Sequence, residues 1–157
     1  MAFSGTNDYI TGRKACPYPA GRENVTVRFT LAMATGDLAV NTIGQFGWLP
    51  AGCVPVDVRI IADDLDSSTA ALVVSVGIWD GSGANLSTDA ADGGGAWGVN
   101  VATATAFDLA MTRTLANMAA VAASSSDRRV GAKITTAPTT AVAGNLSIEL
   151  TYRAAGG

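Results

Sequence analysis

Two groups of aspartates are the residues of this sequence best able to do chemistry. They are Asp63, Asp64 and Asp66 in one turn and Asp80, Asp89 and Asp92 in another. Facing carboxylates can hydrolyse a glycosidic bond, and a carboxylate-rich turn can bind calcium, which takes six or more oxygen ligands. In turns, however, Asp side chains ordinarily accept hydrogen bonds from nearby backbone N–H groups. We therefore expect no catalytic residues and no metal ligands, and calcium binding by these turns stays open.

Histidine is absent from the sequence, which removes Ser-His-Asp and Cys-His mechanisms. The two cysteines, Cys16 and Cys53, form no CxxC motif. Because no secretory signal is visible, we expect reduced thiols, although a disulfide between them stays open. The glycines at 93–95 do not stand between a strand and a helix, as a phosphate-binding loop would. The sequence therefore predicts a protein that is not an enzyme and that binds no cofactor.

Three tryptophans, Trp48, Trp79 and Trp97, are the remaining side chains with a recognisable binding chemistry. Aromatic rings can stack on sugars, and Trp79 with Trp97 could form such a platform. Tryptophans also commonly fill cores and interfaces, because they bury a large area and carry one polar N–H group. A carbohydrate-binding β-sandwich module is therefore kept as an alternative function.

Short strands must position these residues. Residues 25–33 and 146–153 alternate apolar with polar side chains, which is typical of strands with one buried and one exposed face. Residues 72–79 are apolar on both faces and indicate a central strand. Weaker patterns predict a short strand at 38–43 and a short helix within 107–118. Because turn signals separate about eight such segments, we predict an all-β fold, a two-sheet antiparallel β-sandwich of jelly-roll type.

Residues 1–23 form a region distinct from the single sandwich domain, which we assign to residues 24–157. Glycines and prolines interrupt any regular element here, and Tyr18 lies between two prolines. Such a segment is either a frayed end or an arm that becomes ordered against a partner. An aromatic side chain between prolines favours the second, so we predict an extended N-terminal arm.

The composition restricts the partners. The formal net charge is −3, and charged residues make up 15% of the chain. A nucleic-acid-binding protein would carry a strongly basic surface, so we expect no direct contact with nucleic acid. The longest apolar stretch is shorter than the roughly 20 residues that span a bilayer, so we expect no membrane association. A low charge suits a protein that covers much of its surface with neighbouring subunits.

Several stretches of the sequence resemble the head decoration proteins, or cement proteins, of tailed bacteriophages. They are residues 25–38 (VTVRFTLAMATGDL), 47–66 (GWLPAGCVPVDVRIIADDLD), 76–80 (VGIWD), 127–136 (DRRVGAKITT) and 150–153 (LTYR). They are structural signatures and contain no catalytic motif. The first 23 residues and the loop at 80–95 fall outside the resemblance.

The resemblance implies a structural virion protein that binds the outer surface of a bacteriophage capsid and stabilises it by bridging major capsid protein subunits. It also implies self-association as a homodimer or homotrimer, and assembly in the host cytoplasm. The residues that we predict to contact the shell or a sister subunit are Arg13, Lys14, Tyr18 and Arg22 in the arm and Phe46, Trp48 and Leu49 at a corner. A phage fibre or tail-associated domain is a further alternative. The role of the loop at 80–95 and the choice between dimer and trimer stay open.

Overall fold

The computed structural model describes residues 1–100, 107–109 and 111–156, and these form nine β-strands, one α-helix and two 3₁₀-helices. The strands are β1 (Asn24–Met33), β2 (Ile43–Leu49), β3 (Cys53–Ala62), β4 (Val73–Ile78), β5 (Gly98–Asn100), β6 (Phe107–Asp108), β7 (Met111–Arg113), β8 (Arg128–Thr136) and β9 (Gly144–Ala154). The helix α1 spans Leu115–Ala120, and the 3₁₀-helices span Thr35–Leu38 and Ala90–Asp92.

The strands form two antiparallel sheets, with the order β1-β9-β3-β6 in the first sheet and β2-β8-β4-β5-β7 in the second. From β1 to β4 the chain crosses from one sheet to the other at each step. Later, β8 inserts between β2 and β4, and β9 inserts between β1 and β3. This interleaving is that of a jelly roll, with β7 as an added edge strand. The predicted β-sandwich is therefore confirmed.

The two most regular strands of the sequence are neighbours in the first sheet. β1 and β9 pair over ten residues without a register shift, from Asn24 opposite Arg153 to Met33 opposite Gly144. Most of their inward side chains are buried, and these are Val27, Phe29, Leu31 and Met33 from β1 and Leu146, Ile148, Leu150 and Tyr152 from β9. This alternation places one face of the sheet in the core and leaves the other at the surface.

Two glycines in β2 admit aromatic rings from other parts of the chain into the core. The ring of Phe29 lies against Gly47, and the ring of Phe3 lies against Gly44, in each case where a Cβ atom would clash. A β-bulge between Gln45 and Gly47 shifts the register of β2 against β8. The edge of the second sheet is thus shaped by rings that approach its backbone closely.

One of the weaker predictions is wrong, and another is confirmed only in part. Residues 38–43 do not form a strand of their own. The 3₁₀-helix in which the Asp37 carboxylate accepts the Ala34 N–H group at 2.9 Å ends at Leu38, and only Ile43 belongs to a strand, β2. The segment 107–118 is helical only from Leu115, because Met111 pairs with Asn100 in the second sheet. Within the described ranges, no helix is long and apolar enough to cross a bilayer.

Candidate functional site

The N-terminal segment, residues 1–23, lies on its own sandwich. Ala2 forms a parallel bridge with Ile43, and the Phe3 N–H group donates to the Ile43 carbonyl at 3.2 Å. The Phe3 ring packs edge-on against Phe46, with 5.8 Å between ring centroids. The start of the chain therefore closes the open edge of β2, where unpaired backbone groups would otherwise face solvent.

Farther along, the N-terminal segment turns and makes a second set of contacts with the sandwich. The Asn7 side-chain amide donates to the Phe46 carbonyl at 2.8 Å, and the Tyr9 ring packs edge-on against Phe29, with 5.0 Å between centroids. The Trp48 Nε1–H group donates back to the Tyr9 carbonyl at 3.1 Å. The sequence predicts an extended arm, whereas residues 1–23 fold back in turns against the domain.

Three of the predicted contact residues meet at one groove. Lys14, Tyr18 and Trp48 line a depression of about 380 Å³, which we call the N-terminal groove. Its other lining residues are Tyr9, Gly12, Ala15, Cys16, Pro50 and Asp127. The Tyr18 side chain is 62% exposed, and the Lys14 ammonium group lies 5.1 Å from the Tyr9 ring centroid. Arg13 and Arg22 are exposed on the same segment but do not line the groove.

Phe46 and Leu49, also predicted as contact residues, are fully buried in the core. The bulge between Gln45 and Gly47 leaves Phe46 without a partner residue in β8, and the Phe46 side chain lies in the core there. Trp48 alone of this corner keeps partial exposure. Phe46 and Leu49 therefore have no surface to offer a partner, and the prediction is corrected for both.

Trp48 also begins a row of three side chains across the second sheet. It lies opposite Arg129 of β8. Trp79 follows β4 directly, and its backbone N–H group donates to the Arg129 carbonyl at 3.0 Å. The Arg129 guanidinium lies 6.0 Å from the Trp48 ring centroid. A second groove, of about 260 Å³, is lined by Trp48, Ile78, Trp79, Asp80, Asp92, Asp127, Arg128 and Arg129. We call it the tryptophan groove.

Trp97 takes no part in either groove. Its side chain has no exposed surface, and its Nε1–H group donates to the Asp92 carbonyl at 3.1 Å. The sugar platform of Trp79 with Trp97 is therefore wrong. Sequence reasoning also missed Arg129, although its position opposite Trp48 follows once the pairing of β2 with β8 is known.

On the outer face of the first sheet, two arginines are paired with carboxylates, while Arg153 is exposed without a salt bridge among the described residues. Arg28 pairs with Glu149 at 2.9 Å, and Arg59 joins the same carboxylate at 3.4 Å and also pairs with Asp108. The hydrogen bond from Arg59 holds the pKa of Asp108 below its ordinary value. Surface pairs of this kind contribute little stability but leave few unmatched charges.

Lys14 and Arg129, which line the two grooves, and Arg13 and Arg22 of the N-terminal segment lack a carboxylate partner. Among the residues that the structure describes, Arg13, Lys14, Arg22 and Arg129 form no salt bridge. Lys14 lines the N-terminal groove together with the exposed Tyr18 and the partly exposed Trp48, and Arg129 lines the tryptophan groove together with Trp48. Unpaired cations beside exposed aromatic rings are typical of a surface that binds a partner.

The acidic turns stabilise loops. Asp66 is buried, and its carboxylate accepts the N–H groups of Ala71, Thr139 and Thr140 at 2.9 to 3.0 Å. These bonds, led by that from Thr140, lower the pKa of Asp66 to about 2. Asp63 likewise accepts the Asn145 N–H group at 2.6 Å. Over residues 1–100, 107–109 and 111–156, no group of three or more His, Cys, Asp or Glu side chains could hold a metal ion.

Both cysteines are free thiols, Cys53 buried and Cys16 half-buried. Burial raises the pKa of each thiol above its ordinary value. The Cys16 Sγ–H group lies 3.5 Å from the Trp48 carbonyl and contributes to the attachment of the N-terminal segment. Neither thiol has the lowered pKa that a nucleophilic cysteine needs.

Comparison with known proteins gives a match by structure only. No protein-family model and no curated protein matches the chain. A chain in the capsid of Ralstonia phage GP4 is 24% identical, with a TM-score of 0.74 over 96% of this chain and 97% of that one. A chain in the capsid asymmetric unit of cyanophage Pam1 is 17% identical, with a TM-score of 0.51 over 88% and 90%. At these identities the likeness shows a shared fold.

Proposed function

We propose that this chain is a structural component of a bacteriophage virion, and specifically a protein that decorates the capsid. The observation that carries the proposal is the end-to-end fold match to a chain of a phage capsid, over 96% of this chain and 97% of that one. The match covers nearly all of both chains, which favours a common role as well as a common fold. Fold alone does not determine function.

In this role the protein binds the outer surface of the assembled capsid and bridges subunits of the major capsid protein. A protein that binds only the assembled lattice stabilises it by mass action. Many symmetric copies make a modest contact at each site sufficient. The role requires neither catalysis nor a cofactor nor contact with DNA, and assembly would take place in the host cytoplasm.

We assign the shell contact to the surface around the N-terminal groove. Of the residues predicted from the sequence, Arg13, Lys14, Tyr18, Arg22 and Trp48 keep exposure there. Arg28 and Arg59 on the outer face of the first sheet are paired with carboxylates, whereas Arg13, Lys14 and Arg22 form no salt bridge among the described residues. Aromatic and arginine side chains dominate the binding energy of protein interfaces, so this end has the chemistry of a contact.

We assign self-association, as a homodimer or homotrimer, to an apolar groove on another part of the surface. It encloses about 300 Å³ between α1 and the start of β3 and is lined by Pro55, Val56, Leu115, Met118, Ala119 and Arg153. Leu115 is 65% exposed and Val56 is 37% exposed. Residues 114–126 carry no charged side chain, which suits a surface that a second copy covers.

A binding assay tests the proposal. Heads of the source phage, purified from a virus that lacks this gene, are mixed with the purified protein, and the sedimented protein is measured against its concentration. We expect saturable binding that weakens in a Lys14→Ala, Tyr18→Ala double variant. The matched control is Arg28→Gln, which alters an exposed pair on the first sheet. Wild-type protein that does not bind the heads would overturn the proposal.

Truncation is a poor test of the same idea. The sequence suggests that removal of residues 1–22 would leave the fold intact. In the structure, that removal uncovers Phe29 and Phe46, against which Tyr9 and Phe3 pack. Point variants at exposed side chains avoid this loss of core contacts.

A further inference from the structure

We infer that Arg129 anchors the contact with the shell and that the partner presents a carboxylate to it, with an apolar side chain held in the tryptophan groove. The inference rests on the proposed capsid role. It adds Arg129, which the sequence did not indicate, it gives Trp79 a role in the shell contact in place of sugar stacking, and it states the chemistry of the partner segment.

The groove is built before any partner arrives. The Trp48 indole is held by its hydrogen bond to the Tyr9 carbonyl, and the Trp79 indole by one to the Ser82 carbonyl, each at 3.1 Å. The Arg129 guanidinium is held by a bond from Nη1 to the Asp80 carbonyl at 3.0 Å. Since these side chains are already ordered, binding loses little conformational freedom.

Arg129 is the cation of this groove that remains for a partner. Its neighbour Arg128 is only 11% exposed, pairs with Asp92 at 3.2 Å and donates to the Ala122 carbonyl at 2.8 Å. Arg129, in contrast, is exposed and forms no salt bridge with any described residue. Arg128 therefore fastens the loops together, whereas Arg129 presents its charge to solvent.

The carboxylates of the groove are engaged with the backbone. Asp80 accepts both the N–H and the hydroxyl group of Ser82, at 2.8 and 3.0 Å, and Asp127 accepts the Ala51 N–H group at 2.8 Å. Asp92 is paired with Arg128. These carboxylates keep their negative charge, but each already accepts hydrogen bonds or an ion pair from this chain, whereas no carboxylate of a described residue lies within salt-bridge distance of the Arg129 guanidinium. A guanidinium binds a carboxylate through two parallel hydrogen bonds, so an Asp or Glu side chain fits it best.

The two indoles determine which kind of side chain can lie next to the partner's carboxylate. Trp48 and Trp79 stand on either side of Arg129 in the row, and both are partly exposed. A volume of about 260 Å³ holds one side chain of moderate size. We therefore expect an acidic residue of the shell subunit next to an apolar one, with Arg129 and the tryptophans as the energetic centre of the contact.

The test uses purified heads that lack this protein, together with four forms of the chain: wild type, Arg129→Gln, Trp79→Ala and the control Arg28→Gln. We expect Arg129→Gln and Trp79→Ala to weaken binding at least about tenfold, and Arg28→Gln to leave it unchanged. A second arm amidates the exposed carboxylates of the heads with carbodiimide and glycinamide. Amidated heads should bind wild type as weakly as native heads bind Arg129→Gln, and the two losses should not add.

The outcomes separate the two proposals. If wild type does not bind native heads, the capsid role and this inference both fall. If wild type binds and Arg129→Gln binds equally well, or if amidation changes nothing, the inference alone is overturned. A panel of immobilised glycans is the remaining arm. Sugar binding that Trp79→Ala abolishes, with head binding intact in that variant, would assign the groove to carbohydrate and also overturn the inference.

Discussion

Asp37 accepts two hydrogen bonds from Ser4, one from its N–H group at 2.9 Å and one from its hydroxyl group at 2.8 Å. A single buried carboxylate thus ties the N-terminal segment to the turn that follows β1. Burial by itself would raise the pKa of Asp37, but the hydrogen bonds from Ser4 and Ala34 outweigh it, and the pKa lies below its ordinary value of 3.8.

Replacing Asp37 should loosen the N-terminal segment. Because Asp37→Asn removes the charge and one acceptor, we expect a loss of about 1–2 kcal/mol in the free energy of unfolding. We also expect faster trypsin cleavage after Arg13 and Lys14. Wild type should lose the same contribution as the pH falls below about 4. A carboxyl group whose pKa is lowered by folding stabilises the protein fully above its unfolded-state pKa, and this stabilisation is lost as the pH falls through the folded-state pKa. Asp8→Asn, in the same segment, is the control. Equal cleavage rates in the two variants would contradict this account.

Asp66 should make the protein sensitive to acid. Its folded-state pKa is about 2, against an ordinary value of 3.8. The stabilisation is therefore complete above about pH 4 and is lost as the pH falls toward 2. Thermal unfolding of wild type and Asp66→Asn between pH 7 and pH 2 checks this expectation. Asp66→Asn should melt lower at pH 7, and the difference should shrink in acid. A difference that stayed constant with pH would show that the carboxylate charge is not responsible.

Two tryptophans that look alike in the sequence should behave differently. Trp97 is fully buried, so Trp97→Ala should cost about 3–5 kcal/mol of unfolding free energy. Trp79 is partly exposed, and Trp79→Ala should cost about 1 kcal/mol or less. Urea denaturation followed by circular dichroism measures both. Similar losses for the two variants would mean that the burial of Trp97 is misassigned.

Two strands of the first sheet, β1 and β9, could be predicted from the sequence, because their apolar and polar residues alternate cleanly and the strands pair over ten residues. β2 could not be predicted, because Gly44 and Gly47 have no side chains to show the pattern. The rings that fill their places, Phe3 and Phe29, come from other parts of the chain. Such long-range packing leaves no local signal.

The candidate site was only partly predictable for the same reason. Tyr18, Lys14 and Trp48 stand out by residue type, and they meet at one groove. Whether Arg129 has a carboxylate partner within the protein depends on which strands are neighbours in the sheet. The sequence pattern does not contain that information. Phe46 was misassigned because a bulge, which local sequence does not reveal, turns it inward.

Self-association should depend on Leu115. A charge placed on this 65% exposed side chain would have to be buried without a partner in any oligomer that covers the groove beside α1. We therefore expect Leu115→Glu to shift the protein toward the monomer in light-scattering measurements after gel filtration. Val40→Glu, at a side chain that is 54% exposed and does not line this groove, is the matched control. An oligomer unchanged by Leu115→Glu would place the contact elsewhere.

The most direct test of the capsid role is a count of this protein in purified particles. Virions of the source phage are separated by density, and the copy number of this chain is measured by quantitative mass spectrometry relative to the major shell protein. Our account predicts copies in the hundreds per particle, as a lattice-wide contact requires. A handful of copies would assign the protein to the tail or fibres, and its absence from the particles would contradict the capsid role altogether.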